Sequence, residues 1–322
     1  MIFRLKIKSN LDNINFMKII STTPRTKSNS SDFKKLLEKF DCTFVEKFPS
    51  KQHFNSEEMI NELEGFSIAI VGDDILDENF FNNSKNIKLI IKWGSGTDNI
   101  DYLAASNNNI KIKNTPNILG KYVAEYILGI ILSNQRKIIE YNNTFKSQQS
   151  WNKDPGKSLF NKTIGLLGYG NIGTEFAQIV KPFDCNIIFY DPNVEIDQKA
   201  RKVDQISLFK ESDILIIAAK LNNETKNIIN RNNLKLLKSD TMIINISRGQ
   251  LINELDLFEV INNNELKYVF LDVFCEEPPC LDDYYEDNHS INFSQHNASN
   301  SQEAIDEVNF QILQILREEL EK

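Results

Sequence analysis

Short apolar runs alternate with stretches whose apolar residues recur every three or four positions, from Met17 to the end of the chain. MKIIST (17–22), CTFVEK (42–47), FSIAIVG (66–72), IKLIIKWG (87–94) and IKIKNT (110–115) have the length and β-branched content of strands. Between them DFKKLLEKF (capped by Ser31 or Asp32), EEMINELEG, DENFFNN and IDYLAASNN have helical spacing. A long apolar helix is expected from about Gly120 to Ile139, and the polar stretch YNNTFKSQQSWNKDPGKS then leads to a second series. There TIGLLGYG (163–170), NIIFYD (186–191), DILIIAA (213–219), TMIINI (241–246) and YVFLDVF (268–274) are strands, and NIGTEFAQIV (171–180) is a helix. An amphipathic helix, SQEAIDEVNFQILQILREELEK, closes the chain. Near-continuous apolar strands separated by helices predict an α/β fold with doubly wound parallel sheets covered on both faces.

The 322 residues are too many for one ordinary core and suit two domains. Apolar residues are 41% and charged residues 25%, the composition of a soluble globular protein. A net charge of −8 with no long basic run argues against a nucleic-acid partner. The longest apolar stretch, Tyr122 to Leu132, is broken by Glu125 and is too short to span a bilayer, so no membrane partner is expected. Cys42, Cys185, Cys275 and Cys280 form no CxxC pair, which points to a reducing, cytoplasmic compartment and no metal site. Residues 1–16 fit neither series and lack a cleavage-type site. They are expected to be an unstructured extension rather than a signal peptide.

Three segments carry chemistry. Gly168-Tyr169-Gly170-Asn171-Ile172-Gly173 follows an apolar strand, opens a helix, and is followed by Asp191 at the end of the next strand. In such a turn Gly168 makes the bend, Gly170 lets backbone approach a pyrophosphate, and Gly173 lets helix and strand pack. The helix start offers N–H groups to phosphate, and Asp191 accepts from a ribose hydroxyl and repels a 2′-phosphate. Ile244 to Asn253 contains Arg248 at the carboxyl end of a buried strand, where a planar guanidinium suits a carboxylate or polarised carbonyl. The third segment joins LDVF and EEPP to SQHNAS. Of the three histidines, His53 and His289 sit in polar stretches and read as solvated. His296 follows a short apolar strand, and beside a carboxylate it would form a proton-transfer unit.

Together these residues resemble the D-2-hydroxyacid dehydrogenases. The resemblance runs along nearly the whole chain from Met17 through KWGSGTDNID (92–101), NTP and VAE, GLLGYGNIG, YDP, NISRG, LDVF with EEPP, and HNASNSQEA. STTPRT (21–26) makes the D-3-phosphoglycerate dehydrogenase branch the nearest in kind. The resemblance implies two Rossmann-like domains with the active site in the cleft between them. The substrate domain would be 17–117 plus 298–322, and the NAD-binding domain 118–297. It further implies NAD as cofactor, a small 2-hydroxy or 2-keto acid as substrate, a homodimer through the 120–139 helix, and a role in serine biosynthesis. Arg248, Glu277 and His296 would be catalytic, with Arg248 also on the substrate. Gly168, Gly170, Asn171, Ile172, Gly173, Asp191, Ala219, Ile246, Ser247 and Asp272 would line the cofactor, Asp272 facing the nicotinamide carboxamide. Lys92, Ser95 and Gly96 would bind substrate, with Arg25 and Lys27 as further phosphate contacts. The expected substrate is 3-phosphoglycerate; the rivals are reduction of glyoxylate, hydroxypyruvate or another 2-keto acid, and NAD(H) sensing without catalysis. The chain ends at Lys322, so a C-terminal serine-binding domain and serine inhibition through it are not expected. Three departures from the family pattern stand out: Gln295 where Pro precedes the histidine, Lys92 where Arg precedes the WGSG turn, and Ala218-Ala219-Lys220 where His-x-Pro is usual.

Overall fold

A computed structural model of the chain describes residues 17–148, 151, 153–280 and 291–322; the extension expected at 1–16 and His289 lie outside the described residues. The chain divides into two compact units. The first holds the described residues up to Pro116 together with Ile305–Lys322, and the second is Asn117–Ala304.

In the first unit the strands are β1 (Lys18–Ser21), β2 (Thr43–Glu46), β3 (Ile68–Val71), β4 (Leu89–Lys92) and β5 (Lys111–Asn114), all parallel in the order β2-β1-β3-β4-β5. Helices α1 (Ser30–Glu38), α2 (Ser56–Glu62), α3 (Glu78–Asn83) and α4 (Tyr102–Asn107) connect them. Every residue of β3 and β4 is buried, as strands covered on both faces require, whereas the edge strands β2 and β5 are partly exposed. Helix α1 starts at Ser30, with Asn29 as its N-cap residue, because the 3-10 turn Pro24–Asn29 runs directly into it.

The second unit begins with α5 (Gly120–Gln135) and α6 (Ile138–Gln148). A single helix is expected over 120–139; the structure breaks it at Lys137, which sits at φ 53°. The cause lies in a later segment. Lys157 donates its N–H to the Gln135 carbonyl at 2.7 Å, and Gly156 lies so close to that carbonyl that a Cβ would come within 2.5 Å of it. The carbonyl that would have continued the helix is thus occupied, and α6 runs on through residues read as a polar connection.

The second sheet, β12-β11-β10-β9-β6-β7-β8, is also parallel. Its strands are β6 (Thr163–Leu167), β7 (Asn186–Tyr190), β8 (Arg201–Lys202), β9 (Ile214–Ile217), β10 (Met242–Asn245), β11 (Tyr268–Leu271) and β12 (Ile291–Phe293). The helices α7 (Asn171–Ile179), α8 (Gln205–Glu211), α9 (Arg231–Leu234) and α10 (Glu254–Asn262) accompany it, and α11 (Gln302–Leu320) closes the chain, mostly within the first unit. The chain leaves β6 toward β8 and returns to β9 on the other side of β6. The switch point therefore lies where β6 and β9 end, the place where open α/β sheets bind ligands. Among the described residues no helix is long and apolar enough to cross a membrane.

Candidate active site

The switch point is built backbone against backbone. Gly168 sits at φ 91°, and a Cβ there would lie 2.6 Å from the N and Cα of Ala219, so only glycine lets β6 and β9 end side by side. Gly173 packs the start of α7 on this turn, where a Cβ would meet the Gly168 carbonyl at 3.1 Å and the Tyr169 ring at 3.2 Å. Gly170 differs: a Cβ there would meet nothing within 4 Å, and no side chain caps the helix. A bare N-terminus beside open space fits a pyrophosphate. Asp191 stands at the end of β7, accepting from Tyr169 N and from Asn193 N, each at 2.8 Å. The strand β8, which carried no periodic signal, brings Arg201 and Lys202 beside β7. Each cation is paired, Arg201 with Glu211 at 2.5 Å and Lys202 with Glu195 at 3.3 Å. Asn171 lies against the start of α5, so close that a Cβ on Gly120 would come within 2.1 Å of its Oδ1. Ile172 is partly buried in the core, and Ala219 and Ile246 are buried beside the turn.

Arg248 follows the carboxyl end of β10. The buried Asn245 accepts from Ser247 N at 3.2 Å and donates to the Arg248 carbonyl at 2.9 Å, which fixes the turn. Ser247 Oγ donates to the Ala219 carbonyl at 2.6 Å and ties this turn to the switch point. The Arg248 guanidinium donates through Nη1 to the Ser247 carbonyl at 2.8 Å. Gly249 then abuts the next loop, where a Cβ would lie 2.0 Å from the Phe274 carbonyl carbon. That loop carries Glu277, whose Oε1 accepts from Phe274 N at 3.1 Å and whose Oε2 lies 2.8 Å from His296 Nδ1. Both side chains of this pair are about one-fifth to one-quarter exposed, at 20% and 24%. Burial, and then the Glu254 carboxylate, push the Cys275 thiol up to about 12, so it stays protonated.

Asp272 holds the histidine loop. It is fully buried, with Oδ1 accepting from Ser294 Oγ at 2.5 Å and Asn297 N at 2.8 Å, and Oδ2 from Ala298 N at 2.9 Å. Its own carbonyl accepts from His296 N at 2.7 Å, and His296 sits at φ 49° within these bonds. The expectation that Asp272 faces the nicotinamide carboxamide gives way to this geometry, since both oxygens are directed at residues 294–298.

In the first unit Lys92 is buried and its Nζ lies 3.1 Å from both Asp73 Oδ1 and the Trp93 carbonyl. Ser95 and Gly96 form the crest of the following turn, braced by Gly94 N donating to Thr115 Oγ1 at 2.8 Å and Asn114 Nδ2 donating to the Ser95 carbonyl at 3.1 Å. The Arg25 guanidinium lies over the Trp93 ring, 4.4 Å from its centre, and Lys27 is exposed. Sequence reasoning missed Gly249 and Ser294. The Ser-x-His-x-Ala spacing around an aspartate-bearing strand end is the signal that would have found the serine.

Residues 128–298 match a family model described as "D-isomer specific 2-hydroxyacid dehydrogenase, NAD binding domain". The chain is 35% identical over 234 residues to a hydroxypyruvate reductase of Thermotoga maritima, covering 71% of this chain and 76% of that protein. It is 32% identical over 231 residues to a D-3-phosphoglycerate dehydrogenase of Methanocaldococcus jannaschii, covering 69% of this chain and 44% of that protein. Among solved structures, an NAD-dependent formate dehydrogenase from Staphylococcus aureus in complex with NAD superposes with a TM-score of 0.82 at 24% identity, covering 94% of this chain and 95% of that one.

Proposed function

The chain belongs to the D-isomer specific 2-hydroxyacid dehydrogenases, NAD-dependent enzymes, and from that premise we propose that its substrate is a short, unphosphorylated 2-keto acid of the hydroxypyruvate or glyoxylate class, interconverted with the D-2-hydroxy acid. The observation that carries this reading is the state of Lys92. The cation expected to draw in a phosphate is buried and bound to Asp73 and the Trp93 carbonyl, so it braces the turn at Ser95 and Gly96. The name of the Thermotoga relative agrees with it. Phosphoglycerate oxidation is the second reading, supported by Arg25 and Lys27 and by the Methanocaldococcus relative.

The residues divide the work as follows. With Nδ1 committed to Glu277, Nε2 of His296 is the atom that exchanges a proton with the substrate oxygen, and Glu277 fixes the ring's tautomer and stabilises its cation. Arg248 holds the carboxylate and the polarised carbonyl oxygen. Backbone N–H groups of Ser95 and Gly96 add to the carboxylate site. The N-terminus of α7 receives the pyrophosphate at Gly170, and Asp191 the ribose hydroxyls. Bound NAD supplies the hydride acceptor, or as NADH the donor.

Oxidation of NADH, followed by absorbance, tests the substrate. We expect kcat/KM for hydroxypyruvate or glyoxylate to exceed that for 3-phosphohydroxypyruvate at least tenfold. The opposite order would overturn the unphosphorylated reading, and tight NADH binding without turnover of any acid would favour sensing. NAD should be preferred over NADP because Asp191 is anionic and the neighbouring Arg201 and Lys202 are paired. Asp191→Ala should narrow the ratio of the two efficiencies. The ratio is the quantity to measure, since the substitution also removes two bonds to the turn. Equal use of both cofactors by the unaltered enzyme would count against the assignment.

The partner in this reading is a second copy. Ile138, Ile139, Phe145 and Trp151 are exposed on and after α6, and Ile139 also lines a cavity of about 1150 Å³ with Ile130, Phe270 and Phe293. Apolar projections adjoining a cavity form the self-complementary surface that a two-fold contact needs. Light scattering at micromolar concentration should give a dimer's mass, and Ile139→Glu should give a monomer's.

A further inference from the structure

We propose that Tyr126, on α5, is a positioning residue for His296, acting through Ser294 and Asp272. This inference rests on the acid/base role assigned to His296 above. The Tyr126 hydroxyl is hydrogen-bonded to Ser294, and the Ser294 hydroxyl spends its one proton on Asp272 Oδ1 at 2.5 Å. The tyrosine must therefore be the donor in its bond to the serine, and the chain of protons runs from Tyr126 to Ser294 to Asp272. Burial, with the Asp272 charge nearby, raises the phenol and keeps it in the protonated form this role needs. The ring is set edge-on to Phe270 of β11, with centres 6.4 Å apart.

The chain matters because of where it ends. Asp272 is a carboxylate with no exposed surface, held by the Ser294 hydroxyl and the N–H groups of Asn297 and Ala298. Those three donors flank His296, whose φ of 49° lies in the left-handed region that an imidazole-bearing residue enters only when its surroundings dictate it. Without the tyrosine proton, the Ser294 hydroxyl is free to turn from Asp272 and the loop loses one of the bonds that impose the strained backbone. The same helix reaches the nucleotide turn, since Gly120 lies against Asn171, six residues or about 9 Å along α5 from Tyr126. Helix α5 thereby sets the proton-transfer residue in register with the turn that would receive the pyrophosphate.

The test is a double-mutant cycle on the full chain, with kcat, KM for the acid turned over fastest, the NADH dissociation constant by fluorescence, melting temperature and mass by light scattering. Tyr126→Phe and Ser294→Ala should each lower kcat about tenfold. KM, NADH affinity and mass should stay unchanged, and the double variant should be no worse than either single one. Ser294→Thr, which restores the hydroxyl, should recover the turnover. Unchanged kcat in Tyr126→Phe, additive losses in the double variant, or a loss accompanied by altered NADH affinity or mass would overturn the proposal. The cycle is read on whichever acid reacts, so an error in substrate leaves it standing. His296→Asn with undiminished turnover would instead refute the acid/base role.

Discussion

His296→Ala lowers kcat by about 10²–10⁴-fold, the usual value of a positioned acid/base, while NADH binds with unchanged affinity. The proton-transfer atom is lost, but the α7 start, Gly170 and Asp191 are untouched. Alanine brings a complication of its own, because residue 296 sits at φ 49°, a conformation that costs a non-glycine residue about 1–2 kcal/mol. His296→Asn is the cleaner variant, since asparagine tolerates that region and keeps the loop's bonds to Asp272. Both variants should show the same loss of turnover. If asparagine retained most of the activity, the loop and not the imidazole would be what the reaction needs. Arg248→Lys should also fall far below the parent, because a lysine cannot present two parallel donors to a carboxylate. Stopped-flow traces with NADH in excess separate this loss in the chemical step from any change in cofactor binding.

How much of this was legible in the sequence depends on the range of the forces involved. The strands were, because burial on both faces demands continuous apolar runs such as Ile68–Val71 and Ile214–Ile217, whose four positions are all buried. The nucleotide turn was, because its glycines answer to local backbone geometry. The Glu277 and His296 pairing followed from family resemblance, and the structure places the two side chains 2.8 Å apart. Other features depend on distant segments. The break at Lys137 comes from Gly156 and Lys157 reaching the end of α5, and nothing between Arg136 and Ile139 announces it. Lys92 looked like a ligand-binding cation because the sequence does not show Asp73 beside its ammonium. Asp272 at a strand end suits either a cofactor or a loop. Only the positions of Ser294, Asn297 and Ala298 reveal which its oxygens serve.

Two glycines that look alike in sequence should part company when replaced by alanine. At Gly249 the new methyl group would lie 2.0 Å from Phe274 C, 2.2 Å from Cys275 N and 2.3 Å from Phe274 O, all backbone atoms that no side-chain rotation can move aside. The loop must shift as a whole, and it carries the Phe274 N–H bound to Glu277 and the Cys275 carbonyl that accepts from Gln250 Nε2. Overpacking of this kind costs about 1–3 kcal/mol, which for a unit of this size lowers the melting temperature by several degrees. Turnover falls further than stability, because displacing Glu277 displaces the partner of His296, and a shift of about 1 Å in a reacting group can cost 10²-fold. At Gly170 a methyl group meets no protein atom within 4 Å, so Gly170→Ala should melt with the parent. Its NADH affinity should nevertheless fall severalfold, because the methyl occupies the space left for the pyrophosphate. Differential scanning fluorimetry and NADH fluorescence titration of the two variants side by side make the comparison. A Gly249→Ala protein that melts and turns over like the parent would mean that its loop contact does not hold the catalytic pair. A Gly170→Ala protein that binds NADH like the parent would place the pyrophosphate elsewhere.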